Sequence, residues 1–187
     1  MEVPHLKELR RAYGFDEVAI VPGDVTVNPD QTDIDFTLGD FRFSIPFLAS
    51  SLDAVASPKF AICVGKMGGL AVLNLEGIYS RYEDPEDVIQ HIIETPQEEA
   101  PPLLQKVYSA PIREDLIGRQ IQEVKRGGVP CAASFTPANT KQFSPVAVEA
   151  GADILVVQST VTTARHISKS VRGLVLSDLC RRLQVPV

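Results

Sequence analysis

At 187 residues and 44% hydrophobic residues, the chain can bury one sizeable core and form one domain, at most two. Its net charge of -6 and the absence of a Lys/Arg run exclude nucleic acid as the main partner, although backbone N–H groups can still hold a small anion. No apolar run approaches the roughly 20 residues of a membrane span. The N-terminal sequence MEVPHLKELRRAYG lacks the apolar core of a signal peptide, so the expected location is the cytoplasm.

In chain order, residues 5 to 11 read as a short helix stopping at Gly14, and VAIVPG as an extended piece closed by Pro22-Gly23. From Asp33 the pattern alternates. Ile34, Phe36 and Leu38 share one face, Gly39-Asp40 is a turn, and Phe41, Phe43 and Ile45 follow, which predicts a β-hairpin. Residues 45 to 49 form a short apolar run without alternation, as expected of a parallel strand covered on both faces. Ser50-Ser51-Leu52-Asp53 then leaves the strand at its carboxyl end, where β/α folds meet their ligands. Small polar residues also suit an ordinary strand-to-helix turn.

Ser57-Pro58 is an N-cap with proline at the first helical position, and Gly68-Gly69 stops that helix after Met67. Residues 70 to 73 form the second strand, ending at Asn74. Asp84-Pro85 starts another helix, with Val88, Ile89, Ile92 and Ile93 on its apolar face. The carboxylates of EDPED suit the acidic first turn of that helix. Thr95-Pro96 and Ala110-Pro111 punctuate the stretch that follows. Apolar residues at 112, 116, 117, 121 and 124 mark an amphipathic helix ending on Gly127-Gly128.

Residues 129 to 134 are predicted as the third strand. Thr136-Pro137 falls in a polar loop, and a helix is predicted from about Ser144-Pro145 to Ala150, ended by Gly151. Residues 152 to 158 form the fourth strand, closed by Gln158-Ser159-Thr160, a polar trio at a usual ligand position. Ser177 caps a last helix, and Val185-Pro186-Val187 reads as a fifth strand barely begun. Four β/α units and the start of a fifth fit half of an eight-unit barrel, which takes about 250 residues, and so suggest a truncated chain. A complete five-stranded doubly wound sheet fits the same periodicity.

Cys63, Cys131 and Cys180 are odd in number and widely spaced, so they suggest neither a disulfide framework nor a C-x-x-C metal site. Each lies in an apolar run and reads as a small buried hydrophobe. His5 and His91 read as surface residues, and His166 as a structural hydrogen-bond partner near a helix end rather than a base.

Several of these segments, in order, resemble the IMP dehydrogenase and GMP reductase family of (β/α)8 barrels. RRAYGFDEVAIVPG is similar to the family's N-terminal signature, IPFLASSLDAVAS to its first strand, GGLAVLNLEG to its second, and AGADILVVQST to the strand before the dinucleotide site. RYEDPEDV, LLQKVYSAPIREDLI and RQIQEVK extend the likeness over nearly the whole chain. The nearest branch in pattern is the bacterial IMP dehydrogenase-related protein without the regulatory insert, for which residues 94 to 112 leave no room.

The resemblance implies an α/β fold, the N-terminal half of a (β/α)8 barrel (45 to 187) preceded by an N-terminal segment and hairpin (1 to 44). It implies NAD-dependent oxidation of IMP to XMP by the full-length protein, assembled as a homo-tetramer or octamer. The family's Gly-rich cysteine loop is absent from this sequence, so no catalytic residue is assigned here and the chain alone is expected to be inactive. A monovalent cation such as potassium is expected only with the missing half. Ser50 and Leu52 match positions that touch the purine nucleotide, with Leu52 in place of the usual Met. Asn74, Thr136 and Pro137 match cofactor contacts. Gln158, Ser159 and Thr160 match the Asp-Ser-Ser that holds the nicotinamide riboside, and the change from Asp to Gln removes a charge. A GMP reductase-type enzyme using NADPH, or a non-catalytic nucleotide-binding half-barrel, are the alternatives.

Overall fold

The structure is a computed structural model that describes residues 10 to 160 and 173 to 187. His5, His166 and most of the segment expected to form the first helix lie outside them. The chain divides into two compact units, Met1–Asp33 and Ile34–Val187. In the first, Phe15–Glu17 and Pro29–Gln31 are single 3₁₀ turns, and residues 10 to 14 are not helical. The Glu17 carboxylate accepts the Gly14 N–H at 2.9 Å, and the Arg11 guanidinium lies 4.7 Å from the Tyr13 ring centroid.

The second unit opens with the expected hairpin, β1 (Phe36–Leu38) against β2 (Phe41–Phe43), antiparallel, with Phe36 opposite Phe43 and their rings stacked at 4.8 Å. Four parallel strands follow: β3 (Leu48–Ala49), β4 (Leu70–Asn74), β5 (Ala132–Phe135) and β6 (Ile154–Val157). Their spatial order is their sequence order, β3-β4-β5-β6. A doubly wound sheet reverses direction beside its first strand, whereas a barrel adds each strand on the same side. The winding is therefore that of a barrel.

The helices are α1 (Pro58–Lys66), α2 (Pro85–Glu94), α3 (Ala100–Ser109), α4 (Glu114–Arg126), α5 (Pro137–Glu149) and α6 (Leu176–Arg182). Local chemistry explains where α1 begins and ends. Ser57 Oγ accepts the Phe60 N–H at 3.1 Å, Pro58 follows, and Gly68 takes φ +90°, a left-handed conformation that glycine adopts without a Cβ clash. In α4 the residues at 116, 117, 121 and 124 are all buried, as the spacing predicts.

Alternation along the strands sends side chains to two covered faces. Leu73, Leu75, Ala133, Phe135 and Leu155 pack with Ile117, Ile121 and Val124 of α4 and with Phe143 and Ala147 of α5. Leu70, Val72, Ala132 and Ile154 face the other way and meet Phe43, with Phe36, Leu38 and Phe41 of the hairpin packed around them. The hairpin is thus the lid on the sheet's second face. This explains why those strands read as continuous apolar runs.

Several expectations are corrected. The first strand is only two residues long, and Phe47 and Leu48 are 61% and 56% exposed, because β3 is the edge of the sheet. The third strand begins at Ala132 rather than Val129. The helix placed at 144 to 150 spans Pro137–Glu149, so Pro145 lies inside it, leaving one turn without an amide donor. The helix expected from Ser177 begins at Leu176 with Val175 at its cap. Residues 185 to 187 form no assigned strand, although the Leu155 N–H of β6 donates to the Pro186 carbonyl at 2.9 Å. Cys63 and Cys180 are exposed, and only Cys131 is buried.

Candidate functional site

A cleft of about 560 Å³ opens where the four parallel strands end. Each strand contributes to it: Ser51 after β3, Asn74 at the end of β4 with Glu76 beyond it, Ser134 and Phe135 of β5 with Thr136 after them, and Gln158 to Thr160 after β6. Arg81, from the loop after β4, and Tyr108, from α3, complete the wall. Residues just past strand ends are free of sheet pairing, and so their side chains and amides are available to a ligand.

Two sets of hydrogen bonds hold the rim. In the first, Ser51 Oγ donates to Gln158 Oε1, linking the loops after the first and last parallel strands. The second is built on Asp53. Its carboxylate accepts from Asn74 Nδ2 (3.1 Å), the Ile78 N–H (3.0 Å) and the Tyr108 hydroxyl (2.6 Å). Gly77 makes room for it, since a Cβ there would lie 1.7 Å from Asp53 Oδ1. Asn74 Oδ1 in turn accepts the Glu76 N–H at 3.1 Å. Glu76 Oε1 accepts both the Thr136 N–H (2.7 Å) and the Thr136 hydroxyl (2.9 Å), which ties β4 to the start of α5.

The charges are sharply assigned. Partial burial, and then the bond to Asp53 and its negative charge, push the Tyr108 hydroxyl well above the usual tyrosine range, so it stays a proton donor to Asp53. Arg81 is committed to the framework: Nε donates to the Glu76 carbonyl at 3.0 Å, Nη1 to the Ala110 carbonyl, and the guanidinium lies 5.9 Å from the Tyr108 ring centroid. The cysteine sulfurs are not at this site. Cys131 sits just before β5, at the opposite end of the sheet, where burial and then the Asp153 charge push its thiol up to about 12. Cys63 lies in α1 and Cys180 in α6.

Of the residues expected at a site, Asn74, Thr136, Gln158, Ser159 and Thr160 line the cleft together. Ser50 and Leu52 stand outside its lining, both exposed, with Ser51 between them turned into it. Pro137 is the first residue of α5 and is half-buried. Glu76, Arg81 and Tyr108 escaped the sequence reading, while Asp53 was placed in the loop after the first strand without a role of its own. Glu76 had one available signal, its position two residues past the end of β4. Tyr108 had none, because its helix was not anticipated.

The IMP dehydrogenase / GMP reductase domain pattern matches residues 12–178. The chain belongs to this family. An uncharacterised oxidoreductase of Mycolicibacterium smegmatis is 35% identical over 100% of this chain and 51% of its own length. One from Mycobacterium leprae is 36% identical over 95% of this chain and 49% of that protein. Inosine-5'-monophosphate dehydrogenase of Methanocaldococcus jannaschii shares 34% identity over 40% of the chain. Among solved structures, the IMP dehydrogenase/GMP reductase-like protein from Corynebacterium glutamicum superposes with a TM-score of 0.87 at 33% identity, covering 97% of this chain and 48% of that one. The chain spans about half the length of these uncharacterised oxidoreductases, and its architecture is the N-terminal half of a (β/α)8 barrel preceded by a hairpin.

Proposed function

We propose that the chain supplies the cofactor-facing wall of an oxidoreductase of purine nucleotide metabolism, whose longer form oxidises IMP to XMP with NAD. The observation that carries this reading is the polar cleft at the carboxyl ends of four consecutive parallel strands, in a chain of this family. The lining fits the uncharged part of such a cofactor. Asn74, Gln158, Ser159 and Thr160 offer amides and hydroxyls to a carboxamide and to ribose, while the cation among the described lining residues, Arg81, donates through Nε and Nη1 to backbone carbonyls. Asn74, Gln158, Ser159 and Thr160 would hold and orient the nicotinamide end of NAD, whose chemistry would be to take up a hydride.

In this reading the chain does not turn over alone, because none of its three thiols reaches the cleft. Homo-oligomeric assembly, a cytoplasmic location and a monovalent cation site belong to the longer protein. The test is to incubate the chain with IMP and NAD and follow NADH absorbance. No turnover is expected from the chain alone, and turnover once the remaining barrel half is added. Turnover without it overturns the division of labour, and faster GMP deamination with NADPH in the longer protein overturns the choice of reaction.

A further inference from the structure

Glu76 is one of two charged residues in the cleft lining, and its two carboxylate oxygens stand in different situations. Oε1 is occupied by both donors of Thr136, whereas Oε2 has no hydrogen-bond partner among the described residues. The other charge, Arg81, is not paired with that oxygen: its Nε and Nη1 donate to the Glu76 and Ala110 backbone carbonyls. A fixed carboxylate with one open oxygen attracts hydroxyl or amide donors. Gln158 lines the same cleft but carries no charge, and its Oε1 already accepts from Ser51. The strongest open acceptor in the cleft is therefore on Glu76.

We infer that Glu76 is a ligand-binding residue that accepts hydrogen bonds from the ribose hydroxyls of the nicotinamide nucleoside, with Thr136 holding the carboxylate in place. The inference rests on the reading of this cleft as a nicotinamide-nucleotide site. A vicinal diol matches the open oxygen because it presents O–H donors without negative charge, the logic by which carboxylates recognise ribose in other dinucleotide folds.

The test is a titration of this chain, wild type and Glu76→Gln, with nicotinamide riboside and with 1-methylnicotinamide, which carries the same cationic ring and no ribose. Glutamine keeps an Oε1 for Thr136 and replaces the open anionic oxygen with an amide nitrogen. The variant is expected to bind the riboside about tenfold more weakly and 1-methylnicotinamide with unchanged affinity. Unchanged affinity for the riboside overturns the inference. Equal weakening for both ligands also overturns it, because the carboxylate would then be acting on the ring charge. If the wild type binds neither the riboside nor NAD, the reading of the cleft falls and the inference falls with it. Wild-type binding of NAD that Glu76→Gln leaves intact sinks the inference alone.

Discussion

The two ends of the parallel sheet use carboxylates in opposite ways. At the amino end, both oxygens of Asp153 are used: each meets Lys125 Nζ at 2.7 Å, and Oδ2 also accepts the N–H of buried Cys131 at 2.8 Å. At the carboxyl end, Asp53 is equally bonded, but to Tyr108, which is 40% exposed, and to Asn74, which lines an open cleft. Glu76 beside it keeps an unused oxygen. The difference follows from what surrounds each group. Where apolar packing excludes water, every valence must be met by protein, whereas at the mouth water or a ligand can meet it. One end of the same strands is therefore built for stability and the other for binding.

Removing each carboxylate should cost the two ends unequally. Asp153→Ala strands the N–H of Cys131 in a buried site, while water can take over the part-exposed Lys125 ammonium, and should cost about 2–3 kcal/mol in chemical denaturation. Asp53→Ala removes as many hydrogen bonds but lets water reach most of the orphaned groups, and should cost about 1–2 kcal/mol. If Asp53→Ala proves the more damaging, the carboxyl end is not the tolerant one, and its network is a core element.

How far the two ends were legible in the sequence follows the same division. The helix stops at Gly68, Gly127-Gly128 and Gly151, the Ser57-Pro58 cap and the apolar strands at 70 to 74 and 154 to 157 are local signals, and the chain folds as they say. Proline misled twice, both times in α5. Pro137 read as part of a polar loop but occupies the first turn of the helix, where a missing N–H group costs nothing, while Pro145 read as a start and lies within it. The polar trio 158 to 160 was visible as the end of a strand. The Asp53 network joins residues 21, 25 and 55 positions apart, and no local pattern encodes such pairings.

Tyr108 makes the carboxyl end sensitive to alkaline pH. Its hydroxyl ionises less readily in the folded chain than when unfolded, because of burial and the bond to Asp53. The unfolded state therefore loses this proton first, so the stabilisation is complete below about pH 10 and declines as pH rises above it. Denaturation midpoints measured from pH 9 to 11 should fall more steeply for the wild type than for Tyr108→Phe, with the variant slightly less stable at pH 9. Parallel slopes would mean that the hydroxyl is solvated and that Asp53 does not hold it.

The smallest effect tests the amino end through its buried thiol. Cys131 is 1% exposed and its thiol is pushed up to about 12, first by burial and then by the Asp153 charge. At pH 8 only roughly one such thiol in ten thousand is a thiolate, the form that attacks disulfide reagents. Cys63 and Cys180 are exposed. A thiol-disulfide reagent should therefore label these two promptly in the folded chain and reach Cys131 only through opening of the fold. Asp153→Ala removes both the raising charge and the bond to the Cys131 N–H, and should speed labelling of Cys131 while leaving Cys63 and Cys180 unchanged. A wild-type Cys131 that reacts as fast as Cys63 would show that this end was never closed.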